Sequence, residues 1–359
     1  MVVKGSAGGE PGMSDVLNGQ SGNTCSQARL QLATSRVDSV RAEIGKIIVG
    51  QHEVVDGVLT CLLAGGHVLL EGVPGLGKTT LLRTLARALN LKYSRIQFTP
   101  DLMPGDILGS MVMENDDGGS RQLRFQPGPI FANLVLTDEI NRATPKTQSA
   151  LLEAMQELTV TSGTATHRLQ EPFLVMATQN PIEMEGTYPL PEAQLDRFLM
   201  KILVTYPSRE ELNTIVERSM RKLEPVLQPV LDRETILEIR SVCRKLQVPL
   251  GVRDFAVNLV IATQPGSESA HEQARRWIRY GSSPRGAQAL IECARVRALM
   301  RGCLDVSVGD VQFVSHSVLR HRIIPNFDAH AEGRTPDGIL TQVVGDLAGH
   351  LEAGARLPT

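Results

Sequence analysis

The chain has 359 residues, 42% of them hydrophobic and 21% charged, which is typical of a globular protein large enough for two domains. Its 37 basic and 39 acidic side chains give a formal net charge of −2, so no net positive field favours nucleic acid or an anionic membrane. The apolar runs are too short to span a bilayer and the five cysteines show no C-x-x-C spacing, so we expect a cytoplasmic protein without structural disulfides or zinc.

Residues 1–34 are predicted to form a flexible tail. Residues 1–27 are rich in Gly, Ser, Asn and Gln and show no hydrophobic period, so they cannot bury enough apolar surface to offset their ordering entropy. From Ser35 onward, apolar residues recur at spacings of three and four, which predicts amphipathic helices as far as the glycine pair Gly65-Gly66.

Five short apolar segments then alternate with helix-length amphipathic segments as far as Pro207. This alternation predicts an α/β core, a mainly parallel sheet with helices on both faces. Residues 108–126 and 159–169 interrupt it, and each has a glycine-containing centre between β-like arms, which predicts two inserted β-hairpins. The predicted strands cover residues 67–71, 93–98, 133–138, 172–178 and 200–206.

After Pro207 the strand pattern ends and helical patterns follow. We therefore predict a P-loop core over residues 35–207, an α-helical lid over residues 208–330 and a C-terminal extension over residues 331–359. The predicted lid helices cover residues 208–222, 232–246, 253–264, 284–301 and 308–321.

The most specific motif is G-x-x-x-x-G-K-T, which follows an apolar segment and precedes a helical pattern. Its glycines let the backbone wrap around phosphate oxygens, and the helix N-terminus directs free N–H groups toward them. We expect Lys78 to contact the β- and γ-phosphates of ATP and the Thr79 hydroxyl to bind Mg²⁺. A glycine-rich turn matching by chance would lack this strand and helix context. The predicted nucleotide-binding residues are Gly72, Val73, Pro74, Gly75, Leu76, Gly77, Lys78, Thr79 and Thr80.

Two further apolar segments end in polar side chains. Asp138 and Glu139 stand at the end of one of them. Side chains at the carboxyl end of a strand in a parallel sheet lie beside the phosphate loop. Asp138 is expected to hold Mg²⁺, and Glu139 to orient or deprotonate an attacking water. Alone, the pair would indicate a solvated acidic turn, and Asn180 before Pro181 would indicate only a turn. Their order after the P-loop favours catalysis, with Asn180 positioning the water.

This order of motifs resembles the AAA+ ATPases. Within them, the sequences Asp-Glu-Ile-Asn-Arg-Ala at residues 138–143 and Ala-Thr-Gln-Asn-Pro at residues 177–181 look like the MoxR group. The similarity covers residues 35–332. It implies that the two hairpins are the helix-2 insert and the pre-sensor-1 hairpin, which the clade shares with magnesium chelatases. Further matching sequences are Gly-Asp-Ile-Leu-Gly at residues 105–109, Gly-Pro-Ile-Phe at residues 128–131 and Leu-Asp-Arg-Phe at residues 195–198.

The resemblance also implies roles for single residues. Asn180 matches sensor 1, and Arg197 matches an arginine finger that reaches the γ-phosphate bound by a neighbouring subunit. Arg285 matches sensor 2, and whether it acts in its own subunit or in the next stays open. The structural alternatives are a surface Arg197 paired with Asp196 or Glu192, and a solvated arginine at a helix start. The segment expected near the adenine contains Val49, Gly50 and Gln51.

The same resemblance implies a ring-shaped homo-oligomer, most commonly a hexamer, that acts as a chaperone. It would remodel partner proteins or load their metal cofactors, together with a von Willebrand factor A-type protein. A magnesium chelatase-like motor subunit and an ATP-binding regulatory switch remain alternatives. A DNA translocase like the MCM helicases is disfavoured, because the chain has no excess of basic residues.

One basic segment has no role in this scheme. His321 lies between Arg320 and Arg322 at the end of a helical pattern, and the eight histidines show no metal-ligand spacing. We expect His321 to be a cation that complements the negative end of the helix dipole.

Overall fold

The computed structural model describes residues 14–73, 75–115, 121–163, 165–180, 186–221 and 225–352. Within them the chain folds into an α/β unit followed by a helical unit. The strands are β1 (Val68–Glu71), β2 (Tyr93–Gln97), β3 (Gly109–Asn115), β4 (Arg121–Pro127), β5 (Leu134–Asp138), β6 (Thr159–Ser162), β7 (Ala165–Arg168), β8 (Leu174–Gln179), β9 (Met200–Leu203), β10 (Ile278–Tyr280) and β11 (Ile324–Pro325).

The helices of the α/β unit are α1 (Ser14–Gly45), α2 (His52–Ala64), α3 (Lys78–Ala88), α4 (Pro104–Leu108), α5 (Pro145–Glu157) and α6 (Glu192–Leu195), with a 3-10 turn at Ile140–Arg142. The helices of the following unit are α7 (Arg209–Arg221), α8 (Arg233–Lys245), α9 (Leu250–Ala262), α10 (Glu272–Trp277), α11 (Pro284–Met300), α12 (Val308–Leu319), α13 (Phe327–Ala331) and α14 (Pro336–Glu352).

The core is a five-stranded sheet in the order β2-β5-β8-β1-β9, and every strand pair in it is parallel. Both faces are buried: Val68 and Leu70 pack in one apolar cluster, whereas Leu69 between them packs in another. The predicted α/β fold and its five strands are confirmed, with small shifts at the strand ends. Because β5, β8 and β1 are neighbours, their carboxyl ends bring three separate sequence motifs to one edge of the sheet.

Both predicted hairpins are present. β3 pairs antiparallel with β4, and β6 pairs antiparallel with β7 through a turn in which Gly163 has φ +61°. The two hairpins contact each other through the rings of Phe125 and His167, which stack with their centroids 4.0 Å apart. The predicted polar tip of the first hairpin, residues 116–119, lies outside the described residues.

The expected flexible tail over residues 1–34 is wrong for its C-terminal part. Helix α1 begins at Ser14, and Leu30 and Ala33 are buried in the core. The Thr34 hydroxyl donates to Leu299 O of α11 at 2.7 Å, which fastens α1 to the helical unit. The apolar spacing noted from Ser35 onward therefore extends further toward the N-terminus than the polar composition suggested. Residues 1–13 lie outside the described residues.

The five predicted lid helices are present, but the predicted end of the lid at residue 330 is wrong. Helix α14 lies in the expected C-terminal extension, yet Leu340 and Val343 of this helix belong to the same apolar cluster as the lid helices. The short antiparallel pair β10-β11 was also not predicted, because two or three residues are too few to show an alternating pattern.

Candidate active site

The phosphate loop joins β1 to α3. Gly75 and Gly77 have φ of +85° and +78°, in the left-handed region that favours glycine. Gly72 is required for a different reason, because a Cβ there would lie 2.7 Å from the carbonyl oxygen of Val204. Gly77 is the N-cap of α3, so the first turn of this helix has no side-chain cap competing for its N–H groups. Pro74 lies outside the described residues.

Lys78 lies at the start of α3 and its ammonium donates to Gly72 O at 2.6 Å. The side chain is half-buried, and this desolvation lowers the pKa of Lys78, whereas Asp138, Glu139 and Glu71 oppose the shift. A bound polyphosphate would add negative charge beside this ammonium and favour its protonated form. The loop is therefore suited to an anionic ligand.

Asp138 at the end of β5 is fixed from two sides. Its Oδ2 lies 2.8 Å from Nε of Arg95 on β2, and its Oδ1 accepts a hydrogen bond of 3.2 Å from the hydroxyl of Thr178 on β8. The same Thr178 oxygen accepts from the backbone N–H of Glu139 at 3.0 Å. One buried hydroxyl thus connects Asp138, the predicted Mg²⁺ ligand, and Glu139, the predicted catalytic acid, to the neighbouring strand.

Glu139 has a left-handed backbone, with φ +57°, which turns the chain away from the strand. Its Oε2 accepts a hydrogen bond of 2.9 Å from Gln97 and lies 3.1 Å from Nε of Arg142. Sequence reasoning missed Arg95, Gln97, Arg142 and Thr178. Arg95 and Gln97 do occupy alternate positions at the end of a predicted strand, and this spacing was the available signal for a pair on one face.

These side chains surround one cavity of about 320 Å³. Asn180, which follows β8 and is buried, lies on its wall together with the P-loop and the two acids. The cavity therefore brings together residues from β1, β2, β5 and β8. Its lining residues are Gly72, Gly75, Leu76, Gly77, Lys78, Thr79, Thr80, Arg95, Gln97, Asp138, Glu139, Thr178 and Asn180.

The predicted adenine-side segment lies next to this cavity rather than in its wall. Gln51 donates to Leu76 O of the phosphate loop at 3.0 Å, and Val49 and Gly50 precede it. Helix α7 covers the segment, because a Cβ at Gly50 would collide with the carboxylate of Glu211. The segment thus lies between the phosphate loop and the first lid helix.

Arg197 and Arg285 do not line the cavity. Arg285 lies 3.8 Å from Asp196, whose carboxylate also accepts from Ser283 at 3.0 Å and from Arg322 at 2.8 Å. Within the described ranges, the partly exposed side chain of Arg197 has no ion-pair or hydrogen-bond partner, so it does not pair with Asp196 or Glu192. Both arginines lie beside Asp196, outside the cavity of their own chain.

The oxygens near the phosphate loop suit Mg²⁺. Among the described residues no group of three or more His, Cys, Asp and Glu side chains is arranged to hold a metal ion. Thr79 and Asp138 offer a hydroxyl and a carboxylate, and Mg²⁺ commonly takes few protein ligands together with water and substrate phosphates. This donor set fits a metal that arrives with a nucleotide.

Comparisons with known proteins identify the family. Residues 67–200 match the model of the ATPase family associated with various cellular activities (AAA), and residues 271–343 match the AAA lid domain. The chain is 44% identical to "Chaperone MoxR1" of Mycobacterium tuberculosis over 306 residues, which cover 85% of this chain and 80% of that protein. The chain belongs to the MoxR-type AAA+ ATPases. The MoxR protein of Methylorubrum extorquens is 33% identical, over 82% of this chain and 90% of its own.

A solved structure supports the same family at the level of the fold. A crystal structure from Cytophaga hutchinsonii superposes on this MoxR-type ATPase with a TM-score of 0.83 and 39% identity, covering 90% of this chain and 97% of the other. The match to the lid model extends to residue 343, which agrees with the packing of α14. In the part of the chain that the structure describes, no helix is both long enough and apolar enough to cross a membrane.

Proposed function

We propose that this MoxR-type ATPase binds ATP with Mg²⁺ in the cavity at the phosphate loop and hydrolyses it at a site completed by a second subunit. The observation that carries the proposal is the convergence of the loop, Asp138, Glu139 and Asn180 on one cavity, with Arg197 outside it. Three neighbouring parallel strands supply these groups, which is where α/β folds bind nucleotides.

Each side chain has one task in this proposal. Lys78 and the N-terminus of α3 neutralise the β- and γ-phosphates. Thr79 and Asp138 would hold Mg²⁺, which when bound supplies positive charge to the phosphate oxygens. Glu139 orients or deprotonates the attacking water, and Asn180 holds that water from the opposite wall.

The ion pairs around the two acids suggest how turnover is restrained. Arg95 forms an ion pair with Asp138. Glu139 accepts a hydrogen bond from Gln97 and forms an ion pair with Arg142, so neither carboxylate is free to act in this arrangement. To bind Mg²⁺, Asp138 has to release Arg95. To contact the attacking water, Glu139 has to release the amide of Gln97 or the guanidinium of Arg142. We infer that these exchanges accompany productive nucleotide binding.

The two arginines outside the cavity support a shared site in a ring, which we propose to be a hexamer. A guanidinium from outside stabilises charge on the transferring phosphoryl group and contributes about 10³–10⁵ in rate in other ATPases and GTPases. Arg285 lies near Arg197 because it contacts Asp196; its side chain is 52% exposed, and Arg197 is partly exposed. We therefore propose that both act on the nucleotide of the neighbouring subunit.

We further propose that hydrolysis drives chaperone-like remodelling or metal-cofactor loading of a partner protein, with a von Willebrand factor A-type protein as partner. The name of the mycobacterial relative, a chaperone, supports the general role. The first hairpin supports a contact with protein, because Met111, Met113 and Leu123 are exposed on one face of it. Methionine side chains adapt to varied apolar partners.

Two variants test the nucleotide site. Lys78→Ala should abolish binding of a fluorescent ATP analogue, because the loop loses its neutralising charge. Glu139→Gln keeps the size of the side chain and an oxygen that can accept hydrogen bonds from Gln97 and Arg142. The amide cannot deprotonate water, so ATP should bind and persist. Unchanged affinity in the first variant, or normal turnover in the second, would show that the assignment of the site is wrong.

A further inference from the structure

The segment Arg320-His321-Arg322 at the end of α12 contacts the core rather than solvent. His321 and Arg322 are both buried, contrary to the expectation of a cationic histidine at a helix end. Burial and the neighbouring Arg322 hold the pKa of His321 well below its usual range, so the ring is neutral. Its Nε2 lies 3.0 Å from Phe198 O and donates to it.

Arg322 holds the backbone on both sides of Arg197. Its Nη2 donates to Phe198 O at 2.7 Å and to Asp196 O at 3.3 Å, so one guanidinium binds the carbonyls of the residues just before and just after Arg197. Its Nε pairs with the Asp196 carboxylate at 2.8 Å, and its Nη1 donates to Leu199 O at 3.1 Å. The side chain of Arg322 is only 3% exposed.

These contacts cross from the lid to the α/β core. Arg320, His321 and Arg322 follow α12 of the lid, whereas the carbonyls that they bind lead into β9. Arg320 extends the contact, because its Nη1 donates to Lys201 O at 3.4 Å while its Nε pairs with Asp337 of α14 at 3.0 Å. A buried carbonyl without a hydrogen-bond donor raises the free energy of the folded state. The chain leading into β9 is therefore held in position relative to the lid.

The side chain of Arg197 has no such restraint of its own. Within the described ranges it makes no ion pair and no side-chain hydrogen bond. The position from which its guanidinium extends is therefore set by its backbone, and that backbone is fixed by Arg322 and His321. A rigid support of this kind matters for transition-state contacts, since small displacements of a catalytic group reduce rates strongly.

We propose that Arg322, assisted by His321, is a positioning residue for Arg197, so that the lid of one subunit sets the geometry of its neighbour's active site. The inference rests on the proposed function of Arg197 as a group acting in trans. The hydrogen bonds from Arg322 to the backbone of residues 196–199 fix Arg197 relative to the lid. The position of the lid in one subunit thereby affects the active site of the next.

The test is a mixing experiment with Arg322→Lys, which keeps the charge but loses the planar fork that binds several carbonyls at once. The homogeneous variant should bind a fluorescent ATP analogue with wild-type affinity and turn over ATP about tenfold more slowly, or slower still. Mixing it with Lys78→Ala in equal proportions under conditions of subunit exchange should raise turnover to about a quarter of the wild-type level, because random mixing forms the productive pair of subunits at about a quarter of the interfaces. An Arg322→Lys subunit with an intact phosphate loop then meets a well-positioned Arg197 from its partner.

Arg240→Lys is the matched control. Arg240 is an equally buried arginine that donates to Leu62 O at 2.9 and 2.7 Å and pairs with Glu171, but it does not touch the Arg197 segment. Its replacement carries the same risk to folding. We expect any loss of turnover in Arg240→Lys to persist after mixing with Lys78→Ala.

Mixing Arg197→Ala with Lys78→Ala separates the inference from the proposed function. If Arg197→Ala recovers and Arg322→Lys does not, Arg322 acts within its own subunit and the inference is wrong. If neither recovers in rings shown to be mixed, the role of Arg197 in trans fails as well. Should Arg322→Lys not assemble, His321→Phe removes one donor to Phe198 O at similar volume, and it should show a smaller loss with the same recovery.

Discussion

The hydroxyl of Thr178 offers a specific test of how Asp138 and Glu139, the two acids of the proposed site, are held. It donates to Asp138 Oδ1 at 3.2 Å and accepts from the Glu139 N–H at 3.0 Å, and the residue is only 4% exposed. Thr178→Val has nearly the same shape but makes neither bond. The substitution therefore removes the link between β8 and the acids without opening a cavity in the core.

The expected effect follows from these two bonds. A hydrogen bond to a charged group contributes about 1.5–3 kcal/mol, and a buried N–H left without a partner costs about 1–3 kcal/mol. Since about 1.4 kcal/mol corresponds to a tenfold change in rate, misplaced acids should lower kcat by roughly 10- to 100-fold. The Mg²⁺ concentration for half-maximal turnover should rise, because Asp138 loses its orientation. Binding of nucleotide in the absence of metal should hardly change.

The assay is steady-state ATP turnover across a Mg²⁺ titration, with unfolding by urea measured in parallel. Thr137→Val is the matched control: this residue directly precedes Asp138, and its buried hydroxyl has no hydrogen-bond partner in the described part of the chain. We expect it to retain turnover and to leave stability unchanged or slightly higher. Thr178→Ser, which restores the hydroxyl, should recover most of the activity of Thr178→Val.

Two outcomes would refute this reasoning. Wild-type Mg²⁺ dependence and kcat in Thr178→Val would show that the hydroxyl does not position Asp138 and Glu139. An equal loss in Thr137→Val and Thr178→Val would mean that any change on these strands is harmful, independently of the hydrogen bonds.

Three further predictions concern the proposed shared site, a buried histidine and the first hairpin. Arg197→Ala should bind ATP normally but hydrolyse it about 10³-fold more slowly. Random mixing with Lys78→Ala should restore at most roughly a quarter of the sites, with a maximum at equal proportions of the two variants. Turnover that does not change with the mixing ratio in mixed rings would contradict a site shared between subunits. His67 has its pKa lowered to about 4 by burial, and its neutral ring accepts from Val175 N–H while donating to Met155 O. Because the unfolded chain binds the proton more readily, the free energy of unfolding should fall by about 3 kcal/mol as pH drops from 6.5 toward 4. In urea denaturation, His67→Gln should show less of this loss. The same pH dependence in the variant and the wild type would show that His67 is not the group responsible. Deleting residues 115–120 should leave basal turnover intact and lower partner-stimulated turnover, whereas loss of basal turnover in an assembled ring would contradict a role in partner contact.

Features of the molecule that depend on local chemistry could be predicted from the order of the amino acids. The phosphate loop could be predicted because left-handed turns at Gly75 and Gly77 and a following helix are requirements of a few consecutive residues. The five strands followed from short apolar runs between helical patterns, and the two hairpins from β-like arms on either side of a glycine-containing centre. Where the local signal was weak, prediction failed: the polar start of α1 concealed a helix whose Leu30 is buried, and the lid was ended before α14.

Contacts between residues far apart in the chain depend on how the strands and helices pack together. Arg95 and Asp138 are 43 positions apart and pair because β2 lies beside β5, and Thr178 reaches Asp138 because β8 lies on the other side. Arg322 holds Asp196 across 126 positions, a contact that depends on how the lid packs against the core. No local periodicity specifies strand order or the docking of one unit on another, since both arise from the burial of apolar surface over the whole chain.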